Sequence, residues 1–204
     1  MITIVDYGLG NVRALMNVFK RLNIDAATAS TAAELSTATK VILPGVGHFD
    51  HAMERLDASG MRPALDELAL DKRVPVLGIC VGMQILAKSS EEGRCAGLGW
   101  IDGRVRKFFS SQATAELPLP HMGWNDVQPT TTGGLFNQLD TDARFYFLHS
   151  FYVECAKPGD RLAVTFYGSE FSAAVRSENI FGVQFHPEKS HRFGTRLLEN
   201  FARL

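Results

Sequence analysis

Three cysteines, at positions 80, 95 and 155, are all the chain contains. Their odd number and unpaired spacing leave no framework for disulfides and no Cys-rich zinc site. Charge of one sign is missing as well: 21 Lys and Arg against 22 Asp and Glu give a formal net charge of −1. That balance excludes the basic surface needed for binding a phosphate backbone and any strong attraction to an anionic membrane. No apolar run reaches membrane-spanning length, and no basic leader with a cleavage site precedes Ile2-Thr3-Ile4-Val5. Internal repeats and low-complexity linkers are absent too. These absences lead to the expectation of one domain over residues 1–204, in a reducing cytoplasm, without nucleic acid, membrane or cofactor. What is present is 46% hydrophobic and 21% charged residues, the composition of a globular chain able to bury roughly 70% of the surface it would expose unfolded.

The first half has a β-α rhythm. Short apolar or β-branched runs at 2–7, 26–29, 41–43 and 74–80 alternate with helically spaced apolar residues. Val12, Leu15, Met16, Phe19 and Leu22 form the first such face; 52–56, 62–72 and the segment from Met83 to Ala87 supply others. Continuously apolar strands between helices predict an α/β fold with a mostly parallel central sheet covered by helices on both faces. Function in such a fold belongs to the loops at the strand C-terminal ends, where Asn11, Gly45 and Cys80 fall. Beyond Gly97-Leu98-Gly99-Trp100 the texture changes to short alternating segments at 104–109, 121–127, 144–147, 152–155, 162–167 and 171–175. They predict an additional antiparallel β portion in the second half. A last strand over 180–185 leads to a terminal helix with Phe193, Leu197, Leu198 and Phe201 on one face. Residues 110–120 read as the most flexible loop.

The run Val74-Pro75-Val76-Leu77 ends in Gly78-Ile79-Cys80-Val81-Gly82, and a helical pattern follows at once. Strand, sharp turn and helix meeting at Cys80 define a nucleophile elbow, with glycines at minus two and plus two clearing its flanks. A thiol at a helix N-terminus is biased towards thiolate, the attacking form. A buried structural cysteine closing a strand also fits this run, and the paired glycines favour the nucleophile. The last strand ends in Gln184-Phe185-His186-Pro187-Glu188. Pro187 keeps His186 extended, and extended residues two apart would aim His186 and Glu188 to one side. Histidine as general base for the thiol, with a carboxylate on its second nitrogen, completes a Cys80-His186-Glu188 triad. Acyl transfer also needs oxyanion donors: the Val81 N–H, and the loop of Gly45, Val46 and Gly47 after the third strand. His48, Asp50 and His51 have ligand-like spacing but lack further clustered ligands, so no metal site is expected.

Pro44-Gly45-Val46-Gly47, Gly78-Ile79-Cys80-Val81-Gly82-Met83-Gln84 and Phe185-His186-Pro187-Glu188 resemble, in order and spacing, the oxyanion, nucleophile and triad segments of class I glutamine amidotransferases. The resemblance covers nearly the whole chain. It implies hydrolysis of L-glutamine to glutamate and ammonia, with the substrate oriented by Gln84, Glu92, His149, Ser150 and Phe151. Three further segments narrow it to the branch that serves a synthase of histidine biosynthesis: Asp6-Tyr7-Gly8-Leu9-Gly10-Asn11, Pro120-His121-Met122-Gly123-Trp124-Asn125 and Glu188-Lys189-Ser190. That branch implies a heterodimer with a (βα)8-barrel cyclase that receives the ammonia, with Asn11, Trp124, Tyr146 and Lys189 at the partner interface. Val81 and Phe151 stand where the branch has leucine and tyrosine, and neither change removes a catalytic group. Elbow and triad alone would also suit a stand-alone cysteine hydrolase; residues 120–125 favour the partnered branch.

Overall fold

A computed structural model describes residues 1–108, 117–139 and 142–204. The chain opens with β1 (Ile2–Val5), α1 (Val12–Arg21), β2 (Ala26–Ala29), the single capped turn α2 (Ala32–Leu35) and β3 (Lys40–Gly45). Then come α3 (Phe49–Ala58), α4 (Arg62–Asp66) and β4 (Val76–Cys80), which runs straight into the one-turn helix α5 (Val81–Gln84). The second half supplies β5 (Ser89–Ser90), β6 (Gly103–Lys107), β7 (His121–Asp126), β8 (Gln128–Pro129) and β9 (Arg144–His149). It continues with β10 (Phe151–Cys155), β11 (Arg161–Tyr167), β12 (Ser169–Ser177) and β13 (Ile180–Val183), and closes with α6 (His191–Arg203).

Eight strands make one sheet in the order β2-β1-β3-β4-β13-β12-β11-β8. The first five are parallel to one another, and the remaining ladders of that sheet are antiparallel. The antiparallel portion expected in the second half is therefore divided. Part of it extends the main sheet, and the rest forms two small sheets, β10-β6-β5 and β7-β9. Strand order reverses between β1 and β3, and right-handed crossovers then place α1 on one face and α2 to α4 on the other. The helix contacts agree: α1 packs on α6, and α2 on α4. Because both faces are covered, β1, β4 and β13 are buried at every residue, which is why they read as unbroken apolar runs. No helix among the described residues is long and apolar enough to cross a membrane.

Two helices depart from expectation. Residues 62–72 are not one helix: α4 gives way to a π-helical turn over Glu67–Asp71. The Asn179 side-chain amide donates to the Ala69 carbonyl within this turn and to the Val74 carbonyl just after it. After the elbow, the pattern from Met83 to Ala87 supports only one helical turn. The carbonyls of Ile85, Leu86 and Ala87 accept instead from the N–H groups of Leu98, Ile101 and Gly99, so the loop after residue 96 replaces the next turn. A Cβ at Gly97 would lie 2.0 Å from the Ala87 carbonyl oxygen, which makes that replacement possible only with glycine. Phe109, expected to end β6, and the loop residues 110–116 lie outside the described residues.

Candidate active site

Strand β3 and the elbow touch backbone to backbone. Gly45 is in register with Cys80. A Cβ on Gly82 would lie 1.9 Å from the Leu43 carbonyl oxygen, and one on Gly45 would lie 2.4 Å from the Gly82 nitrogen. Cys80 itself has φ 56° and ψ −114°, a costly conformation for a residue with a side chain and the geometry of an elbow. Beyond the end of β1, the buried Tyr7 hydroxyl donates to the Pro44 carbonyl at 2.8 Å, standing in for the ladder bond β1 no longer provides. Burial, and then the neighbouring Cys80, push the Tyr7 hydroxyl well above its usual pKa. It therefore stays protonated as a donor.

The loop from β13 to α6 brings up the second half of the site. His186 is extended, with φ −100° and ψ 96°, as its place before proline requires. The extended run expected through residue 188 is instead broken by a 3₁₀ turn over Pro187–Lys189; proline is at home at the first position of such a turn, where no donor is needed. The turn, not strand alternation, brings Glu188 back against its neighbour. His186 Nδ1 lies 2.9 Å from Glu188 Oε1, the side chains being 4% and 2% exposed. Ser190 fastens the turn: its hydroxyl donates to the His186 carbonyl at 2.6 Å and accepts from the Tyr146 N–H at 3.0 Å.

With Nδ1 on the carboxylate, Nε2 is left for Cys80. Burial works against a charged His186, but its hydrogen bonds and charge interactions with Cys80 and Glu188 outweigh it and hold the imidazole well above its usual pKa. Burial would raise Glu188, but the hydrogen bond and charge of His186, together with the hydrogen bond donated by the Asn11 amide, reverse that and leave the carboxyl below its usual range. The arrangement stabilises an imidazolium facing the sulfur.

Cys80 and His186 open onto a cavity of about 370 Å³. Val46, Gly47 and Val81 border it, whereas Gly45, buried at the end of β3, does not line it. Gln84, Glu92, His149, Ser150 and Phe151 all border the space. Glu92 is fixed by the Phe49 N–H at the start of α3, 2.8 Å from its Oε2. The nearby Asp50 carboxylate accepts from the Arg94 and Cys95 N–H groups and so holds the same loop. Asp50 is thereby committed to backbone, and His48 is the N-cap of α3, its Nδ1 accepting from the Asp50 N–H.

Behind the wall runs a buried polar chain whose atom roles are forced. The Phe151 carbonyl can only accept, so His149 Nδ1, 2.7 Å away, carries a proton. His149 Nε2 then accepts from His121 Nδ1 at 3.0 Å, and His121 Nε2 faces the Asn125 amide at 3.3 Å. Gln84 Nε2 donates to the same Phe151 carbonyl at 3.0 Å and to Gln184 Oε1 at 3.1 Å. That leaves Gln184 Nε2 turned to Cys80 Sγ, 3.9 Å away. Sequence reasoning missed Gln184 and Tyr7. The signal for Gln184 was a wholly buried amide inside an otherwise apolar strand end, a position that needs a polar partner.

The four expected interface residues divide into two pairs. Asn11 and Lys189 border the cavity, and the Asn11 side chain turns inward to Glu188. Trp124 and Tyr146 pair across β7 and β9, with Lys189 Nζ 5.6 Å above the Tyr146 ring. Met122, Trp124 and Leu148 leave an exposed apolar surface on that strand pair, beside the mouth of the site.

A cysteine on a strained elbow and a buried His-Glu pair thus meet at the C-terminal ends of a parallel sheet. The glutamine amidotransferase class-I family model matches residues 3–204, and the chain belongs to that family. Within it, the chain is 60% identical over 204 residues to imidazole glycerol phosphate synthase subunit HisH of Bdellovibrio bacteriovorus, covering 100% of both chains. Against subunit HisH of Leptospira interrogans the identity is 52%, again over 100% of both. Among solved structures, PurLQS of Thermotoga maritima contains the same fold, with TM-score 0.73 at 18% identity over 99% of this chain and 97% of the matched one.

Proposed function

We propose that the chain is the glutaminase subunit of an imidazole glycerol phosphate synthase, hydrolysing L-glutamine through Cys80, His186 and Glu188. The observation that carries the chemistry is Cys80 on a strained elbow, opposite an imidazole anchored to a buried carboxylate. Cys80 thiolate attacks the glutamine carboxamide carbon, and His186 gives its proton to the departing ammonia, leaving a γ-glutamyl thioester. The now neutral imidazole takes a proton from water, whose oxygen attacks the thioester; glutamate leaves and the thiolate returns. Val81 N–H and the Gly45, Val46 and Gly47 loop are the donors for the oxyanion in both steps. Gln84, Glu92, His149, Ser150 and Phe151 orient the substrate. Glu188 holds the Nδ1–H tautomer and offsets the imidazolium charge.

Full-length identity to HisH subunits supports a (βα)8-barrel cyclase as the partner that receives the ammonia. The apolar surface of Met122, Trp124 and Leu148, with Tyr146 and Lys189 beside it, is the face for that partner. Reconstitution with the cyclase of the same organism tests both parts. Cys80→Ala should abolish glutamine-dependent synthesis while ammonium-dependent synthesis continues at the wild-type rate. Retained glutamine use would remove Cys80 as nucleophile, and vigorous glutamine turnover by the chain alone would favour a free hydrolase.

A further inference from the structure

Asn11 occupies the N-cap of α1, where an asparagine side chain ordinarily accepts a hydrogen bond from the first turn of its own helix. Here it makes no such bond. Its Nδ2 instead donates to Glu188 Oε1 at 2.7 Å, across 177 positions of sequence. A carboxylate only accepts, so the amide nitrogen must be the atom that faces it. The same Oε1 holds His186 Nδ1 at 2.9 Å. The other oxygen, Oε2, is buried and has no hydrogen-bond partner among the described residues. Among those residues, every side-chain hydrogen bond aiming this carboxylate therefore converges on one atom, and Asn11 supplies the only one that does not come from the histidine being aimed.

We infer that Asn11 is a positioning residue of the triad, fixing the Glu188 carboxylate so that it in turn fixes His186; this rests on the reading of Cys80, His186 and Glu188 as the catalytic groups. Without the amide, the carboxylate loses the one side-chain hydrogen bond that comes from outside the pair, and its grip on Nδ1–H loosens. Asn11 also stands between two spaces: the cavity over Cys80, and an open groove of about 820 Å³ bordered by Gly8, Gly10 and Arg13. Asn11 thus borders both spaces while its side chain holds the triad carboxylate, so a change in the 8–11 loop reaches Glu188 through a single hydrogen bond.

The test reads the reactivity of Cys80 directly, in the isolated full-length chain. Iodoacetamide modification is followed from pH 5 to 9 with peptide-resolved mass spectrometry, Cys95 and Cys155 serving as internal references. Other titratable groups around the pair are Tyr7 below the elbow, Glu92 and His149 in the cavity wall and Lys189 at the rim, and all are kept. Asn11→Leu preserves volume and removes the donor; Asn11→Ala removes both. Both should slow Cys80 modification about tenfold at pH 6 to 7 relative to wild type, because a less firmly held imidazolium activates the sulfur less well. The reference cysteines should stay as in wild type. In the complex, both variants should lower glutamine-dependent kcat about tenfold with little change in KM, since the loss is in the transition state. Thermal melting verifies folding of each variant. A Cys80 profile that overlays wild type in both variants would overturn the inference. Glutamine turnover surviving Cys80→Ala is a separate result, and brings down the nucleophile assignment instead.

Discussion

His121 and His149 are buried imidazoles that the fold keeps neutral. Burial lowers His121 to about 4, and burial with the repulsion of its neighbours lowers His149 to about 3, against 6.5 for a free histidine. Since both folded values lie below the unfolded one, the unfolded chain gains protons below pH 6.5 that the native chain refuses. Stability therefore falls as pH drops through that window, until the native imidazoles titrate near 4 and 3. Each group contributes a slope of about 1.4 kcal/mol per pH unit. His186 acts in the opposite sense: its raised value stabilises the fold in full below pH 6.5, and that contribution is lost as pH climbs through the raised value. Urea unfolding at pH 6.5, 5.5 and 4.5 should show the acid decline, and His121→Gln should flatten it by close to one proton even though it lowers stability at neutral pH. At this scale Cys80, His186 and Glu188 were legible because spacing and chemistry coincide in short segments. Gln184, Tyr7 and the inward turn of Asn11 were not, because each is defined by a partner far away in sequence: Cys80 across 104 positions, Pro44 across 37 and Glu188 across 177.

Among the elements, the elbow and the chain just after it depend most on the absence of side chains. The sequence pattern from Met83 to Ala87 promised a longer helix than the single turn that forms, since apolar periodicity reports burial and not which donors reach the carbonyls. Residues 97–101 reach them first. The His186–Glu188 pairing taught a related lesson: proline correctly marked an extended residue, but the following 3₁₀ turn set the geometry. Two glycine substitutions separate close approach from mere flexibility. Gly97→Ala would place its Cβ against the Ala87 carbonyl and should destabilise the chain by about 1–3 kcal/mol, read as a lowered urea midpoint. Gly159→Ala has open space and no positive φ, and should stay within about 0.5 kcal/mol of wild type.

For the molecule as a whole, the parallel half was legible because strands buried on both faces leave continuous apolar runs, whereas the second half shows only local alternation. Alternation identifies a strand without naming its neighbour; that is why the division of β5 to β12 between the main sheet and two smaller ones emerged only from the pairing. The same division places β7 and β9 outside the main sheet, where they carry Trp124 and Tyr146 to the surface. The chain has two tryptophans. Trp100 is 6% exposed with its ring N–H on Asp66, whereas Trp124 is 46% exposed and stacked at 4° on His191. Their emission should consist of a blue component that ignores the surroundings and a red one that senses whatever covers the strand pair. Titrating in a tryptophan-free cyclase should shift and saturate only the red component, and Trp124→Phe should make the titration silent. Assembly would then be measurable in real time, with light the protein emits by itself.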